Sequence, residues 1–355
     1  MAFEIRAEPS GHVFQAAADE NLLDAALRQG VTLPYGCRDG ACGSCRGKVL
    51  SGQIDHGRAP HHTLSDADRR SGLALFCCAR ARSDLVIESR ELRSARELPV
   101  KTLPARVQKL TLAAPDVMIM ELKLPPSERL QYFAGQYIEI LLQDGRRRAF
   151  SLANAPHADG SLQLHIRRTP GGQFTEHLFT AMKERDMLRF SGPYGSFYLR
   201  EESEKPMLLI AGGTGFGPIK AIVEQAIAEK SARTMDIYWG GRQRADLYLL
   251  PVAERWALEE AHIRFVPVLS DLPQGSLEQL QWHGRRGLVH AAAMEDFPDL
   301  SGHQVYVCGS PAMVAVSRRD FIGQCRLPED EFFADAFEFA NDDATAARSP
   351  STTAG

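Results

Sequence analysis

PYGCRDGACGSC, residues 34–45, decides how the rest of this chain is read. Its cysteines, Cys37, Cys42 and Cys45, are spaced C-x4-C-x2-C, and Cys77 stands farther along. That is the spacing of a plant-type [2Fe–2S] centre, in which one loop supplies three thiolates and a distant element the fourth. Gly36, Gly40, Ala41, Gly43 and Ser44 keep the loop small. Backbone N–H groups can then approach the sulfides and tune the potential. The competing reading is structural zinc, but zinc sites tend toward paired C-x2-C knuckles and lack the x4 gap. Cys78 adjoins Cys77, and only one of the two fits the pattern; Cys78 is expected to be a core thiol. Cys325 has no assigned role.

Around the loop, residues 1–93 read as a small sheet with one helix. FEIRA and HVFQA flank Pro9-Ser10-Gly11 as a hairpin. A helix is expected from an N-cap at Asp19, through Leu22, Leu23, Ala26 and Leu27, to Gly30. KVLSGQID and DLVIESREL close the unit, and 94–101 reads as a linker.

Residues 102–203 have a β pattern. Met118, Met120, Leu122 and Leu124 alternate with Ile119, Glu121 and Lys123. Further strands are expected at 136–142 and 162–167, and one helix at 175–184. Several strands and a single helix suggest a small closed barrel. From 204 to 340 strands and helices alternate. MLLIA leads into GGTGFGP and a helix opened by Pro218; MDIYWG, IRFVPVL and HQVYVCGSP follow. That alternation is the pattern of a parallel α/β sheet. Residues 341–355, rich in Ala, Ser and Thr, are expected to form a disordered tail.

Hydrophobic content of 44% and charged content of 24% are ordinary for globular domains. A formal net charge of −4 gives no reason to expect a nucleic-acid partner. MAFEIRAEPSGHVF shows no basic segment followed by an apolar run, so no signal peptide is read. No stretch approaches the roughly 18–20 apolar residues that span a bilayer. The expectation is a cytoplasmic monomer with no membrane partner. Seven cysteines in that setting point to metal or redox chemistry rather than disulfides.

RAFSLAN at 148–154, PGGQFT at 170–175, GPYGSF at 192–197, GGTGFGP at 212–218, CGSP at 308–311 and FFADAF at 332–337 resemble the ferredoxin–NADP⁺ reductase superfamily. With the N-terminal ferredoxin-like unit, the resemblance covers nearly the whole chain. It implies a β-grasp ferredoxin at 1–93, an antiparallel FAD-binding β-barrel at 102–203 and a parallel α/β NAD(P)H-binding domain at 204–340.

The resemblance also implies site roles that make physical sense. Arg148 offers a fork of donors to the FAD pyrophosphate; Phe150 gives an aromatic face to the isoalloxazine; Ser151 can hydrogen-bond its N5 edge. Alone, Arg146-Arg147-Arg148 would read as a solvated charge run. Gly171, Gly172 and Thr175 precede a helix and suit an anion, with Arg167 on the strand beside them. Gly213, Thr214 and Gly215 lack a Walker lysine and are expected to receive the NAD(P) pyrophosphate. Cys308, with Gly309, would border the nicotinamide; its bland alternative is a buried strand cysteine. Phe337 would lie over the flavin. Asp335 stands where the family has Glu, as a member of a proton network. Arg242 and Arg244 could clamp a 2′-phosphate, yet similar reductases with an N-terminal ferredoxin mostly use NADH, and NADH is expected here.

The implied activity is an NAD(P)H-dependent oxidoreductase that passes electrons from NAD(P)H to FAD, to [2Fe–2S], to a partner protein. The domain order is similar to reductases of multicomponent oxygenases and to the CDP-6-deoxy-3,4-glucoseen reductase group of deoxysugar pathways. The partner is therefore expected to be a dehydratase or an oxygenase component. Arg38, Arg46, Lys48, Arg80 and Arg82 form a basic rim expected to dock an acidic patch on it. A non-catalytic ferredoxin-like carrier or redox sensor would not need the FAD and nucleotide loops, and a flavin reductase would not need the cluster. His56, His61 and His62 read as solvated loop residues.

Overall fold

The computed structural model describes residues 2–89, 98–157, 160–271 and 282–337. Its strands form three main sheets. In Ala2–Glu8, alternation buries Ile5 and Ala7 on one face. This strand pairs antiparallel with His12–Ala17 across the expected hairpin and parallel with Leu85–Glu88. Arg46–Ser51 and Leu73–Leu75 complete a mixed five-stranded sheet. The helix Leu22–Arg28 seals it with Leu22, Leu23, Ala25 and Ala26. Its N-cap is Asn21 rather than Asp19. Glu20 N donates to Ala17 O, so the chain is still turning at Asp19. Asn21 Oδ1 then accepts from Asp24 N at 2.8 Å.

The second sheet has six antiparallel strands in the order Arg147–Ser151, Tyr137–Leu141, Met187–Tyr194, Lys101–Ala114, Val117–Lys123 and Ser161–Arg167. The expected closure into a barrel is not made by a ladder. Its end strands meet at a single bridge, Leu152 to Leu164, reinforced by Ala153 N donating to Gln163 O at 2.8 Å. The chain crosses from one edge to the other at that point, and Phe150 then packs against Phe174 of the helix, ring centroids 5.3 Å apart. That helix is Gln173–Thr180, earlier than expected, so Thr175 lies inside its first turn. It stops before Arg185, whose φ of 80° no helix accommodates.

The third sheet is wholly parallel: Arg285–Arg286, Ile263–Leu269, Met235–Gly241, Met207–Gly212, Gln304–Gly309 and Phe332–Ala336. Strand order proceeds one way from Met207–Gly212 and then reverses to Gln304–Gly309. A crevice therefore opens at the carboxyl ends of these two strands. The helix Phe216–Ala228 starts at Phe216, after a tight turn over Gly213–Gly215, and Pro218 falls within its first turn rather than opening it. Stacking drives the shift, because Phe216 lies flat on Trp239 at 3.8 Å. The expected tail at 341–355, positions 338–340 and the first half of the 94–101 linker lie outside the described residues. Among those described, no helix is long and apolar enough to cross a membrane.

Candidate functional site

The four cysteine thiols gather at one end of the first sheet as two pairs. Cys37 Sγ lies 3.2 Å from Cys42 Sγ, and Cys45 Sγ lies 3.2 Å from Cys77 Sγ. All are free thiols. Among the described residues, no group of three or more His, Cys, Asp or Glu closes around a single point as a metal site would require. Two dithiol pairs suit a binuclear centre, each pair serving one iron. Backbone N–H groups already point at sulfur: Cys37 N and Ser44 N to Cys42 Sγ, and Cys42 N to Cys37 Sγ. The Cys37 thiol bond, with help from Ser44, brings the Cys42 thiol down to about 6. Cys78 is buried beside Cys77, 3.7 Å between sulfurs, and Cys325 is a core thiol.

Next to this loop lies a cavity of about 350 Å³. One wall is Arg148, Phe150 and Ser151 from the antiparallel sheet; another is Cys37 and Asp39 from the cysteine loop; a third is Asp335 and Phe337 from the parallel sheet. Arg167, Gly172, Thr175 and Thr214 line it as well. A second cavity, of about 620 Å³, follows the crevice of the parallel sheet and includes Gly213, Thr214, Arg242, Ser310, Arg167 and Phe337. Arg167, Thr214 and Phe337 thus line both.

The donor chemistry fits anionic, flat occupants. Arg167 Nε and Nη2 are buried and make no hydrogen bond among the described residues; they stand in longer ion pairs with Asp116 at 3.4 Å and Asp246 at 3.6 Å. Nη2 also lies 3.5 Å from where a Gly213 side chain would begin. A guanidinium edge that makes no hydrogen bond among the described residues, at the junction of two cavities, matches a pyrophosphate. Thr175 Oγ1 instead serves the loop, accepting from Thr169 N and contacting Thr169 O and Gly172 O, each at 3.1 Å. Arg148 Nη1 donates to Arg147 O.

Ser151 Oγ donates to Asp335 Oδ2 at 3.0 Å. Burial, and then the neighbouring Cys42, push the Asp335 carboxyl up to about 7, while the Ser151 bond pulls the other way. Cys308 lines neither cavity. It is wholly buried in Gln304–Gly309, and burial drives its thiol far up. Gly215 packs on the Cys308 carbonyl, and Gly309 packs on Met313 and Gly212; neither lines a cavity, nor does Gly171. Arg242 Nε donates to Asp271 Oδ2 at 3.0 Å.

Sequence reading missed the residues that join the layers. His165 Nδ1 meets the Tyr248 hydroxyl at 2.8 Å, and Lys220 Nζ donates to Ala153 O at 2.9 Å. Ser44 Oγ donates to Ala334 O at 2.7 Å, which seats the cysteine loop on the edge strand Phe332–Ala336. The only advance signal was polarity at positions whose neighbours are apolar. The expected basic rim is largely paired with carboxylates of its own N-terminal unit: Arg38 with Asp24, Arg46 with Asp68 and Arg82 with Asp55.

Three family models match consecutive parts of the chain. A 2Fe-2S iron-sulfur cluster binding domain matches residues 5–82, an oxidoreductase FAD-binding domain 104–198 and an oxidoreductase NAD-binding domain 209–319. The chain is 38% identical over 337 residues to the CDP-6-deoxy-L-threo-D-glycero-4-hexulose-3-dehydrase reductase of Yersinia pseudotuberculosis, covering 95% of this chain and 99% of that one. It is 34% identical over 339 residues to a terephthalate 1,2-dioxygenase reductase component of a Comamonas species, covering 95% and 98%. The crystal structure of the Amycolatopsis cytochrome P450 reductase GcoB superposes with a TM-score of 0.72 at 37% identity, over 94% of this chain and 98% of that one.

Proposed function

This chain belongs to the ferredoxin–NADP⁺ reductase superfamily, in the branch with an N-terminal [2Fe–2S] domain, and from that premise we propose how its residues divide the work. It is an NAD(P)H-dependent iron–sulfur flavoprotein reductase with FAD, NAD(P)H and [2Fe–2S] as its cofactors. When bound, FAD supplies the step from an electron pair to single electrons, because a cluster takes one at a time.

In our reading Cys37, Cys42, Cys45 and Cys77 hold the cluster. Arg148, Phe150 and Ser151 hold FAD, and Arg167 holds the pyrophosphate edge. Gly213, Thr214 and Gly215 shape the nucleotide loop. Phe337 guards the flavin face where nicotinamide must arrive, and Asp335 keeps Ser151 oriented. Cys308 is a packing residue beneath the nucleotide loop. NADH is the preferred donor, because Asp271 occupies Arg242 where a 2′-phosphate would compete. The observation that carries this reading is one cavity with walls from all three layers: Cys37, Ser151 and Phe337 line it together.

The acceptor is proposed to be a dehydratase of the CDP-deoxysugar type, following the Yersinia relative over nearly full length. An oxygenase partner is the second reading, favoured by the fold match to the P450 reductase. The division of labour is tested with Cys42→Ser. The variant should lose cytochrome c reduction yet keep ferricyanide reduction, which the flavin performs directly. Loss of both activities in a folded, FAD-loaded variant would contradict the relay. Supply of each acceptor protein with NADH then identifies the partner by turnover.

A further inference from the structure

The helix Pro311–Gly323 of the nucleotide-binding layer sends Arg318 toward the cysteine loop. The guanidinium lies over the Phe332 ring at 4.7 Å, and Nη1 pairs with Glu329 Oε1 at 3.1 Å. The side chain is 14% exposed, and its Nε is buried with no hydrogen-bond partner among the described residues. A buried, unpaired guanidinium N–H carries a desolvation penalty, so the site is built for an acceptor. Nε faces Gly43: a Cβ placed there would lie 3.6 Å away. Gly43, at φ 71°, stands between Cys42 and Cys45. The charges that bear on Arg318 are Glu329, Arg46, Cys42 and Cys45.

We propose that Arg318 is a potential-setting residue, a fixed cation and free Nε–H donor that raises the reduction potential of the cluster held by the cysteine loop. The proposal rests on the assignment of Cys37, Cys42, Cys45 and Cys77 as its ligands. A guanidinium is never neutral in proteins. Its charge and its N–H both favour the more negative, reduced form. Because Arg318 belongs to the nucleotide layer, the effect holds only while the ferredoxin unit is seated on Phe332–Ala336 through Ser44.

The test is an EPR-monitored redox titration of the holoenzyme and two variants. Arg318→Gln should shift the one-electron equilibrium of the cluster roughly tenfold toward the oxidised form, about 59 mV, and leave the flavin couple in place. Glu329→Gln, which removes the carboxylate opposing Arg318, should move the cluster potential upward by a smaller amount. A purely structural role for Arg318 would send both variants the same way, through a loosened seat. An unmoved potential in iron-replete Arg318→Gln, or shifts of the same sign in both, would overturn the proposal. If Arg318→Gln loses its cluster, the sign of the Glu329→Gln shift decides. Absence of iron and sulfide from the wild-type protein would instead defeat the ligand assignment beneath it.

Discussion

Ser151 and Asp335, far apart in sequence and on different sheets, are joined by one buried hydrogen bond of 3.0 Å at the wall of the smaller of the two cavities. Asp335 is followed two residues later by Phe337, which lines both cavities, and preceded by Ala334, whose carbonyl accepts from Ser44 of the cysteine loop. One edge strand, Phe332–Ala336, and the residue after it therefore line both cavities and seat the cysteine loop. Ser151→Ala should slow anaerobic flavin reduction by NADH about fivefold, the effect of losing a hydrogen bond of about 1 kcal/mol. Iron content should not change. Stopped-flow bleaching of the flavin band measures it.

Gly215 carries a second expectation. A Cβ at this position would lie 2.2 Å from the Cys308 carbonyl oxygen and 2.6 Å from its carbon, both backbone atoms. Gly215→Ala should push the nucleotide loop off the strand below it. A loss of roughly 1–3 kcal/mol is expected from such overpacking, together with a raised KM for NADH. Thermal denaturation and steady-state kinetics read the two effects separately.

His165 predicts a pH dependence of stability. Burial first, then the Lys220 charge, brings it down to about 3 from an ordinary value of 6.5. The folded protein keeps the ring neutral, with the Tyr248 hydroxyl at Nδ1 and Gln163 Oε1 at Nε2. The unfolded chain takes up a proton below 6.5, and the folded one does not. The stabilising contribution is thus complete above about 6.5 and is lost as pH falls toward 3, at about 1.4 kcal/mol per unit. His165→Gln should flatten the fall of Tm on mild acidification; an unchanged slope would count against the neutral assignment.

The Arg242–Asp271 pair sets the fourth expectation. Asp271→Asn frees the guanidinium, so kcat/KM for NADPH should rise roughly twofold to fivefold relative to NADH, the range of an exposed ion pair. Arg242→Ala should have little effect with NADH. A drop in NADPH use by Asp271→Asn would show that Arg242 does not face the 2′-position.

The cluster loop was legible because its chemistry is local: Cys37, Cys42 and Cys45 lie in one short segment, and their spacing alone encodes the shape. The alternating strands and the glycine loop were legible for the same reason. Barrel closure was not, because it depends on how Arg147–Ser151 and Ser161–Arg167 register across space, and they share one bridge. Asp19 and Asn21 are comparable caps by residue type, and only the turn at Ala17–Glu20 chooses between them. His165, Lys220 and Arg318 matter through partners on other layers, so no window of sequence marks them. Cys308 shows the reverse: a motif position whose side chain the fold buries away from both cavities.

Order of electron arrival is the most direct measurement. Anaerobic protein mixed rapidly with NADH should lose its flavin absorbance first, and the EPR signal of the reduced [2Fe–2S] centre should rise only afterward. In Cys42→Ser the flavin should bleach at its normal rate with no such signal. A cluster signal that appears ahead of flavin bleaching, or that survives in Cys42→Ser unchanged, would contradict a chain of carriers running from nucleotide through flavin to the cysteine loop.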